Sequence, residues 1–233
     1  MSKGILYLIP VPIHSEEDFN IKLIPPYIIE TIDNLKFFAV ENVRTSRRFI
    51  KKLIPSFNID DTNFFIVNKR AEKEIIIDVI NHLLDGQDVG VMSESGCPAI
   101  ADPGQEICKL AHENQIIIKP LIGPSSIISA LMASGLNGQE FKFHGYLPIE
   151  QKESIKKIKN IQEKSGAHIF IETPYRNQKV LENLIKYLKP QNRKISISID
   201  LTGKGEKTIT KSVYELSRNK IILEKKPTIF IFE

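Results

Sequence analysis

The stretch VGVMSESGCPAIADPGQEICKLAHENQIIIKPLI, residues 89–122, decides the fold. It opens with a short apolar run, Val89–Met92, and continues through a loop rich in glycine and proline. A helical pattern over residues 104–114 and a second apolar run, Ile116–Ile122, complete it. A strand, a helix and a strand in this order predict a crossover unit of a parallel sheet.

Similar units precede this stretch. The runs Gly4–Ile9, Leu35–Val40 and Phe64–Val67 are short and continuously apolar, as is typical of strands buried on both faces. Helical patterns over residues 43–53 and 71–85 alternate with the later runs. The alternation predicts an open α/β domain with a mainly parallel sheet, and such sheets bind ligands at the carboxyl ends of their strands.

The pattern changes near Gly123, so we predict a first domain over residues 1–122 and a second over 123–233. The second domain also has an α/β pattern, but its strands alternate between polar and apolar residues. That alternation indicates a mixed sheet, partly solvated on one face. Its predicted helices cover residues 125–134, 150–164 and 177–188, and its predicted strands cover 141–147, 168–173, 195–201, 208–211 and 228–232.

Composition excludes several classes of protein. The 233 residues are 42% hydrophobic and 26% charged, which is typical of a globular protein and excludes collagen-like and disordered chains. The net charge of +4 permits an anionic partner without requiring one. Two cysteines and five scattered histidines form no disulfide framework and no metal-binding spacing. No run resembles a signal peptide or a membrane span, so we expect a cytoplasmic protein without a metal.

The loop SESGCPAIADPG, residues 93–104, is the first candidate site. Two glycines permit a close backbone approach or a positive φ, and two prolines stiffen the chain. The loop is longer than a connection of this kind needs, which favours a nucleotide-like ligand over a simple structured turn. It lacks the spacing of a phosphate-binding P-loop and that of a dinucleotide fingerprint.

Three further segments follow predicted strands. Ser125 and Ser126 precede a helix, which either serine could cap or whose free amides could face a ligand. Glu172 and Arg176 could form a surface ion pair of little energetic value or a functional pair. The segment ENVRTSR, residues 41–47, could cap a helix or bind phosphate through its arginines.

Four segments together resemble the tetrapyrrole methylase superfamily, whose members are S-adenosylmethionine-dependent methyltransferases with two α/β domains. They are SESGCPAIADPG at 93–104, GPSSIISALMASGL at 123–136, FKFHGYLP at 141–148 and IETPYR at 171–176. The most similar branch contains the bacterial enzymes that methylate a cytidine ribose 2′-hydroxyl in small-subunit ribosomal RNA. That branch carries SDAGTPLISDPG, FLPRK and YESPHR at the matching places.

The chain departs from this branch at several positions. Asn42 and Glu94 stand where aspartates are usual, and Cys97 replaces a threonine. Ile149 and Glu150 replace basic residues, and the segment after the first strand lacks the usual Gly-Asn pair. Two alternatives to the ribosomal RNA methyltransferase therefore stay open: methylation of a tetrapyrrole or another small molecule, and a non-catalytic RNA-binding assembly factor.

The resemblance implies a cofactor, S-adenosylmethionine, in a cleft between the two domains. The implied cofactor contacts are Ile9, Pro10, Ser95, Gly96, Cys97, Pro98, Ile100, Ser125, Ser126, Ile171, Leu201, Pro227 and Thr228. Among four candidate carboxylates, Glu41, Glu94, Asp102 and Glu172, we favour Glu41 or Glu172 as the general base, because each is paired with an arginine that could orient a ribose-phosphate. Arg44, Arg47 and Arg176 are the candidate contacts to substrate phosphates. The expected partners are ribosomal RNA or the small ribosomal subunit and a second copy of the chain.

Overall fold

The computed structural model describes residues 2–13, 19–67, 73–219 and 221–233. The chain divides into two compact units, Met1–Ser125 and Ser126–Glu233. Each unit contains one five-stranded sheet with helices packed on it. The predicted architecture of two α/β domains, the first with a parallel sheet and the second with a mixed one, is confirmed.

The first unit alternates strands and helices. Its strands are β1 (Ile5–Leu8), β2 (Phe37–Val40), β3 (Asn63–Ile66), β4 (Val89–Met92) and β5 (Ile117–Pro120), and its helices are α1 (Pro26–Asp33), α2 (Val43–Leu53), α3 (Lys73–Leu84) and α4 (Gln105–Glu113). A single 3₁₀ turn, Ile21–Leu23, precedes α1. The sheet is wholly parallel, in the order β3-β2-β4-β1-β5.

The central strands of this sheet are buried because both faces are covered. All four residues of β4 are buried. Helices α1 and α2 pack on one face through residues such as Ile28 and Ile50, and α3 and α4 pack on the other through residues such as Val79 and Ile107. Gly90 in β4 leaves room for neighbouring side chains, since a Cβ there would lie 2.7 Å from Cδ1 of Ile9.

The strand order creates a crevice between β1 and β4. From β1 the chain passes to β2 on one side of the sheet order, and from β4 it passes to β5 on the opposite side. The two connections therefore leave on opposite faces of the sheet, as their helices show. This is a topological switch point, where open α/β sheets bind ligands at the carboxyl ends of the strands.

The second unit has a mixed sheet. Its strands are β6 (Phe141–Tyr146), β7 (Ala167–Glu172), β8 (Lys194–Ile199), β9 (Lys207–Ser212) and β10 (Thr228–Phe232), and its helices are α5 (Ser126–Ser134), α6 (Gln151–Ile161), α7 (Asn177–Leu188) and α8 (Val213–Arg218). The order is β6-β7-β10-β8-β9. Strands β6 and β7 are parallel, and the other pairs are antiparallel.

The prediction that one face of this sheet is partly solvated is wrong for its inner strands. All five residues of β10 are buried, as are five of the six in β7 and in β8. Helices α6, α7 and α8 cover one face around Phe170 and Phe230, while α5 packs on the other through Ala130 and Leu131. The polar-apolar alternation in β8 could not show that both faces are covered, because helix α5, which covers the second face, lies far away in the sequence at the start of the unit.

Two helices were not predicted. Helix α1 lies in a proline-containing segment, and its Pro26 occupies the first helical turn, where a missing amide hydrogen costs nothing. Helix α8 has only six residues and depends on a capping box between Ser212 and Glu215. Residues 71–72 of the predicted helix over 71–85 lie outside the described residues. Within the described ranges, no helix is long and apolar enough to cross a membrane.

Candidate functional site

The loop over residues 93–104 leaves β4 at its carboxyl end and is joined there to the segment that follows β1. Val11 and Gly96 exchange two backbone hydrogen bonds, of 2.9 and 3.2 Å. The hydroxyl of Ser95 also donates to the carbonyl of Ile13 at 3.1 Å. The loop is therefore fixed above the crevice between β1 and β4.

Within the loop, the backbone adopts an unusual conformation. Four residues have positive φ: Gly96 (69°), Ala99 (65°), Ala101 (67°) and Gly104 (126°). For the two alanines this conformation is strained, and it persists because surrounding contacts hold it. One such contact is a hydrogen bond of 3.1 Å from the amide of Ala99 to the carbonyl of Pro103.

The segment after β5 completes this edge of the sheet. A Cβ on Gly123 would lie 2.6 Å from Pro10, so only glycine permits the two loops to pack this closely. The thiol of Cys97 donates to the carbonyl of Pro124 at 3.4 Å and also interacts with the Ser125 side chain. Burial raises the pKa of the Cys97 thiol, so it is neutral at pH 7. A neutral thiol is a packing group rather than a nucleophile.

The structure thus brings together most of the first-unit residues predicted to contact a cofactor. A Cβ built on Gly96 would lie 3.9 Å from the carbonyl oxygen of Pro124, an ordinary van der Waals distance, so the two backbones approach each other closely here. The small side chains along residues 93–104 suit a flat ligand lying against the loop. These features fit an adenosine-containing cofactor.

A cluster of polar side chains lies beside this loop, where β2 ends. The amide of Glu94 donates to a carboxylate oxygen of Glu41 at 3.4 Å, and the hydroxyl of Thr45 donates to the carboxylate of Glu94. Asn42 caps α2, its side chain accepting from the amide of Arg44 at 2.9 Å. Asparagine caps a helix as well as the aspartate it replaces, so this departure leaves the local fold intact.

The arginines of α2 have different surroundings. The guanidinium of Arg47 forms an exposed ion pair with Asp60 at 3.1 Å. Lys51 donates to the carbonyls of Pro55 and Phe57. Arg44 lies in the first turn of α2 and is exposed. Of the two arginines, Arg44 is therefore the better placed to contact a phosphate.

The pair Glu172 and Arg176 is not an exposed surface ion pair, so that interpretation is wrong. The Glu172 side chain is 0% exposed and that of Arg176 is 28% exposed, and their charged groups lie 3.3 Å apart. Arg176 also donates to the carbonyls of Leu147 and Pro148 at 3.1 and 2.9 Å. The pair is therefore better suited to holding residues 147–148 in place than to acting as a general base or binding a phosphate, and we call Glu172 and Arg176 together the bracket.

The residues predicted in the second unit converge on one edge of its sheet. Thr228 pairs with Glu172 of β7 and with Ile199 of β8. Because β10 runs antiparallel to both neighbours, its start lies beside their carboxyl ends, next to Ile171 and Leu201. The predicted contacts Ile171, Leu201, Pro227 and Thr228 are thus neighbours in space.

Sequence reasoning missed the residues that hold this edge. Asp200, buried and with a positive φ of 55°, accepts from Lys226 at 2.7 Å and from the amide of Gly205 at 2.8 Å. Asn177, also buried, donates to the carbonyl of Glu224 at 2.8 Å and to that of Lys226 at 3.2 Å. No pattern in the sequence links these partners, which are up to 49 residues apart.

Within the described residues, no group of three or more His, Cys, Asp or Glu side chains could hold a metal ion. The fold, the topological switch point and the constrained loop are those of a two-domain α/β protein with a candidate ligand site at the carboxyl ends of its parallel strands.

Comparison with known proteins gives the family. The family model for Tetrapyrrole (Corrin/Porphyrin) Methylases matches residues 6–217, and the chain belongs to this family. It is therefore a methyltransferase of an S-adenosylmethionine-dependent family, as predicted.

Curated relatives cover most of the chain. Ribosomal RNA small subunit methyltransferase I of Bacillus subtilis (strain 168) is 31% identical, over 91% of this chain and 69% of the relative. The protein of the same name from Buchnera aphidicola subsp. Acyrthosiphon pisum is 30% identical, over 87% of this chain and 68% of the relative. That from Hydrogenobaculum sp. is 29% identical, over 97% of both chains.

Solved structures agree on the fold. The methyltransferase CobJ matches with a TM-score of 0.61 and 13% identity, over 99% of this chain and 94% of that one. Uroporphyrin-III C-methyl transferase from Thermus thermophilus, complexed with S-adenosyl homocysteine, matches with a TM-score of 0.57 and 12% identity, over 98% and 96% of the two chains. At these identities the likeness concerns the fold alone.

Proposed function

We propose that this protein transfers a methyl group from S-adenosylmethionine to a ribose 2′-hydroxyl of small-subunit ribosomal RNA. The relatives named as ribosomal RNA small subunit methyltransferases support the choice of acceptor. The observation that carries the proposal is the cluster at the end of β2, where Glu41 accepts a hydrogen bond from the amide of Glu94 in the loop and Arg44 follows in the first turn of α2. A carboxylate and an arginine suit a hydroxyl and its neighbouring phosphate.

We place the cofactor in the first unit along the backbone of the loop over residues 93–104, and call this proposed site the cofactor slot. The residues that would line it are Ile9, Pro10, Ser95, Gly96, Cys97, Pro98, Ile100 and Ser125, with Ser126 following in the chain. S-adenosylmethionine supplies a methyl group already activated on a sulfonium cation. The protein therefore contributes alignment and exclusion of water rather than covalent chemistry.

Glu41 is the proposed general base. A ribose hydroxyl is a poor nucleophile, and a carboxylate that accepts its proton during transfer speeds the reaction by about 10²–10⁴-fold. The hydrogen bond from the amide of Glu94 fixes one oxygen of Glu41. Glu94 is itself held by Thr45 and is more suited to tethering the loop to α2. Glu172, buried against Arg176, is the less suitable base.

Arg44 is the proposed phosphate contact, and Arg47 a weaker one because it is paired with Asp60. A single phosphate contact adds about one unit to the slope of log affinity against log salt. Arg44→Glu should therefore lower RNA affinity and flatten its salt dependence, whereas Arg47→Glu should do so less. Neither change should alter S-adenosylmethionine affinity, because the cofactor slot involves other residues.

A homodimer and a cytoplasmic location belong to the same proposal, since members of this superfamily are commonly homodimers and ribosomal RNA is made in the bacterial cytoplasm. Light scattering of the purified protein tests the dimer. A monomer at micromolar concentration would contradict it.

The experiment that tests the function is methylation of purified small ribosomal subunits with methyl-labelled S-adenosylmethionine. A 2′-O-methyl group blocks alkaline cleavage of the adjacent phosphodiester, so the label should appear in an alkali-resistant dinucleotide. Label on a base would exclude the ribose. Absence of label, with a tetrapyrrole methylated instead, would favour the small-molecule alternative.

Glu41→Gln tests the base in the same assay. The rate should fall by about 10²–10⁴-fold, while S-adenosylmethionine binding, measured by calorimetry, stays at the parent value. Glu106→Gln is a matched control, because Glu106 forms an exposed ion pair on α4. Parent activity in Glu41→Gln would exclude Glu41 as the base.

A further inference from the structure

The end of β6 is shaped by a β-bulge. The register with β7 advances from Phe143 opposite Ile169 to Tyr146 opposite Ile171, so β6 holds one extra residue. Gly145, with a φ of 67°, supplies the left-handed conformation that this irregularity needs. Bulges redirect the chain locally and occur often beside functional sites.

Two partly buried cations, Arg176 and Lys157, then hold the segment that leaves the bulge. Arg176, paired with Glu172, donates to two consecutive carbonyls, those of Leu147 and Pro148. The ammonium of Lys157 donates to the carbonyl of His144 at 3.0 Å and lies 3.5 Å from that of Tyr146. Four carbonyls within residues 144–148 therefore accept from two cations.

The segment so held presents large apolar side chains to solvent. Tyr146 is 51% exposed, Ile149 is 89% exposed and Tyr175 is 85% exposed. Tyr175 is the neighbour of Arg176, whose hydrogen bonds reach the residues just before Ile149, so the three belong to one edge of the unit. We name Tyr146, Ile149 and Tyr175 the aromatic rim. A rigid, exposed apolar surface of this kind is typical of a binding site.

The charged groups around the aromatic rim indicate the kind of ligand that it binds. The ammonium of Lys225 lies 6.0 Å from the centre of the Tyr175 ring, and that of Lys157 is at the bulge. The carboxylate of Glu224 is paired with Lys226 at 3.5 Å. Aromatic faces flanked by cations suit unpaired nucleotides, because any base stacks on a ring while the ammonium groups attract the phosphates.

We propose that the aromatic rim stacks an unpaired base of the RNA acceptor, with Tyr175 as its principal platform. This inference rests on the proposed function, in which the acceptor is ribosomal RNA. Ile149 and Glu150 stand where the similar branch has basic residues. The contact made by the rim side chains themselves is therefore apolar, so removing one of these side chains should leave the salt dependence of RNA binding unchanged.

The test uses the full chain, small ribosomal subunits and a fluorescent single-stranded oligoribonucleotide of mixed sequence. Stacking on an aromatic ring contributes about 1–3 kcal/mol per base, so Tyr175→Ala should weaken oligonucleotide binding by about 5–150-fold. Tyr175→Phe keeps the ring and should bind within about twofold of the parent by the same argument. The salt slope should be the same in all three proteins, and so should S-adenosylmethionine affinity.

The outcomes separate this proposal from the proposed function. If the parent methylates the subunits while Tyr175→Ala binds RNA as tightly as the parent, the stacking proposal is wrong and the proposed function is retained. If the parent neither binds nor methylates RNA, both fail. Weak binding by Tyr175→Phe as well would indicate a hydroxyl contact rather than stacking and would overturn the proposal. So would a change of oligomeric state in Tyr175→Ala, since a second copy would then cover the rim.

Discussion

Two loops that carry the candidate sites are held in place by different means. The loop over residues 93–104 in the first unit is fixed by its own backbone, through the bridge between Val11 and Gly96 and through residues with positive φ. The segment over 144–149 in the second unit is fixed by side chains, above all by Arg176 and its buried partner Glu172. Fixation by backbone can be recognised in the local sequence from its glycines and prolines. Fixation by side chains depends on tertiary contacts, which the local sequence does not show.

The difference predicts that the second loop is the more vulnerable to a single truncation. Arg176→Ala leaves the Glu172 carboxylate buried without its cation, which typically costs about 3–5 kcal/mol of the free energy of unfolding. Urea denaturation of parent and variant measures this loss.

Lys179→Ala is the matched control for Arg176→Ala. Lys179 pairs with Glu182 at 3.9 Å on the same helix, but both side chains are more than half exposed. Exposed pairs contribute about 0–1 kcal/mol. Equal losses in the two variants would mean that the bracket on residues 147–148 does not stabilise the second unit.

The second prediction concerns the loop held by backbone. Gly96→Val places a branched side chain next to Pro124, in the proposed cofactor slot, so calorimetry should show that S-adenosylmethionine binding is lost. The unfavourable φ of 69° should cost only about 1–2 kcal/mol of the free energy of unfolding. Gly135→Val is a control with the same strain, because Gly135 has a φ of 67° and open space around it. If Gly96→Val binds S-adenosylmethionine as tightly as the parent, the cofactor pocket lies elsewhere.

These two variants also mark how far the sequence could predict the structure. The first loop was predicted from its own residues, because glycine and proline restrict φ locally and the flanking apolar runs identify the strands. For Glu172 and Arg176 the sequence leaves two interpretations open, a surface ion pair or a functional pair. The burial of Glu172 decides between them, and it depends on the elements that cover β7. Asp200 and Asn177 were missed for the same reason, since their partners are brought near only by the folded sheet.

The third prediction uses pH to separate the two units. His144 and His168 in the second unit are joined by a hydrogen bond of 2.9 Å, and His144 stacks on Phe170. Burial, the charge of His168 and nearby lysines lower the pKa of His144 to about 4. Burial also lowers the pKa of His168.

The direction of the pH dependence of the free energy of unfolding follows from the number of protons bound in each state. An unfolded histidine takes up a proton near its ordinary pKa of 6.5, whereas folded His144 resists until about pH 4. The unfolded state therefore binds more protons in this window, and the free energy of unfolding should fall as pH decreases from about 6.5 to about 4. Hydrogen exchange at pH 7 and pH 5 should show lower protection in β6 and β7 at pH 5. A uniform loss in both sheets would contradict a cause located in the histidine pair.

The smallest effect is expected for Cys97→Thr. The Cys97 thiol donates a weak hydrogen bond, of 3.4 Å, to Pro124 and interacts with the Ser125 side chain, and burial keeps it protonated by raising its pKa. Threonine occupies this position in the similar branch, and its hydroxyl can donate to the same carbonyl. Because the loop is held by backbone, exchanging one small side chain should leave kcat and the KM for S-adenosylmethionine within a few-fold of the parent. Loss of turnover with intact cofactor binding would instead mean that the thiol takes part in the reaction, and the first loop would then depend on a side chain as the second does.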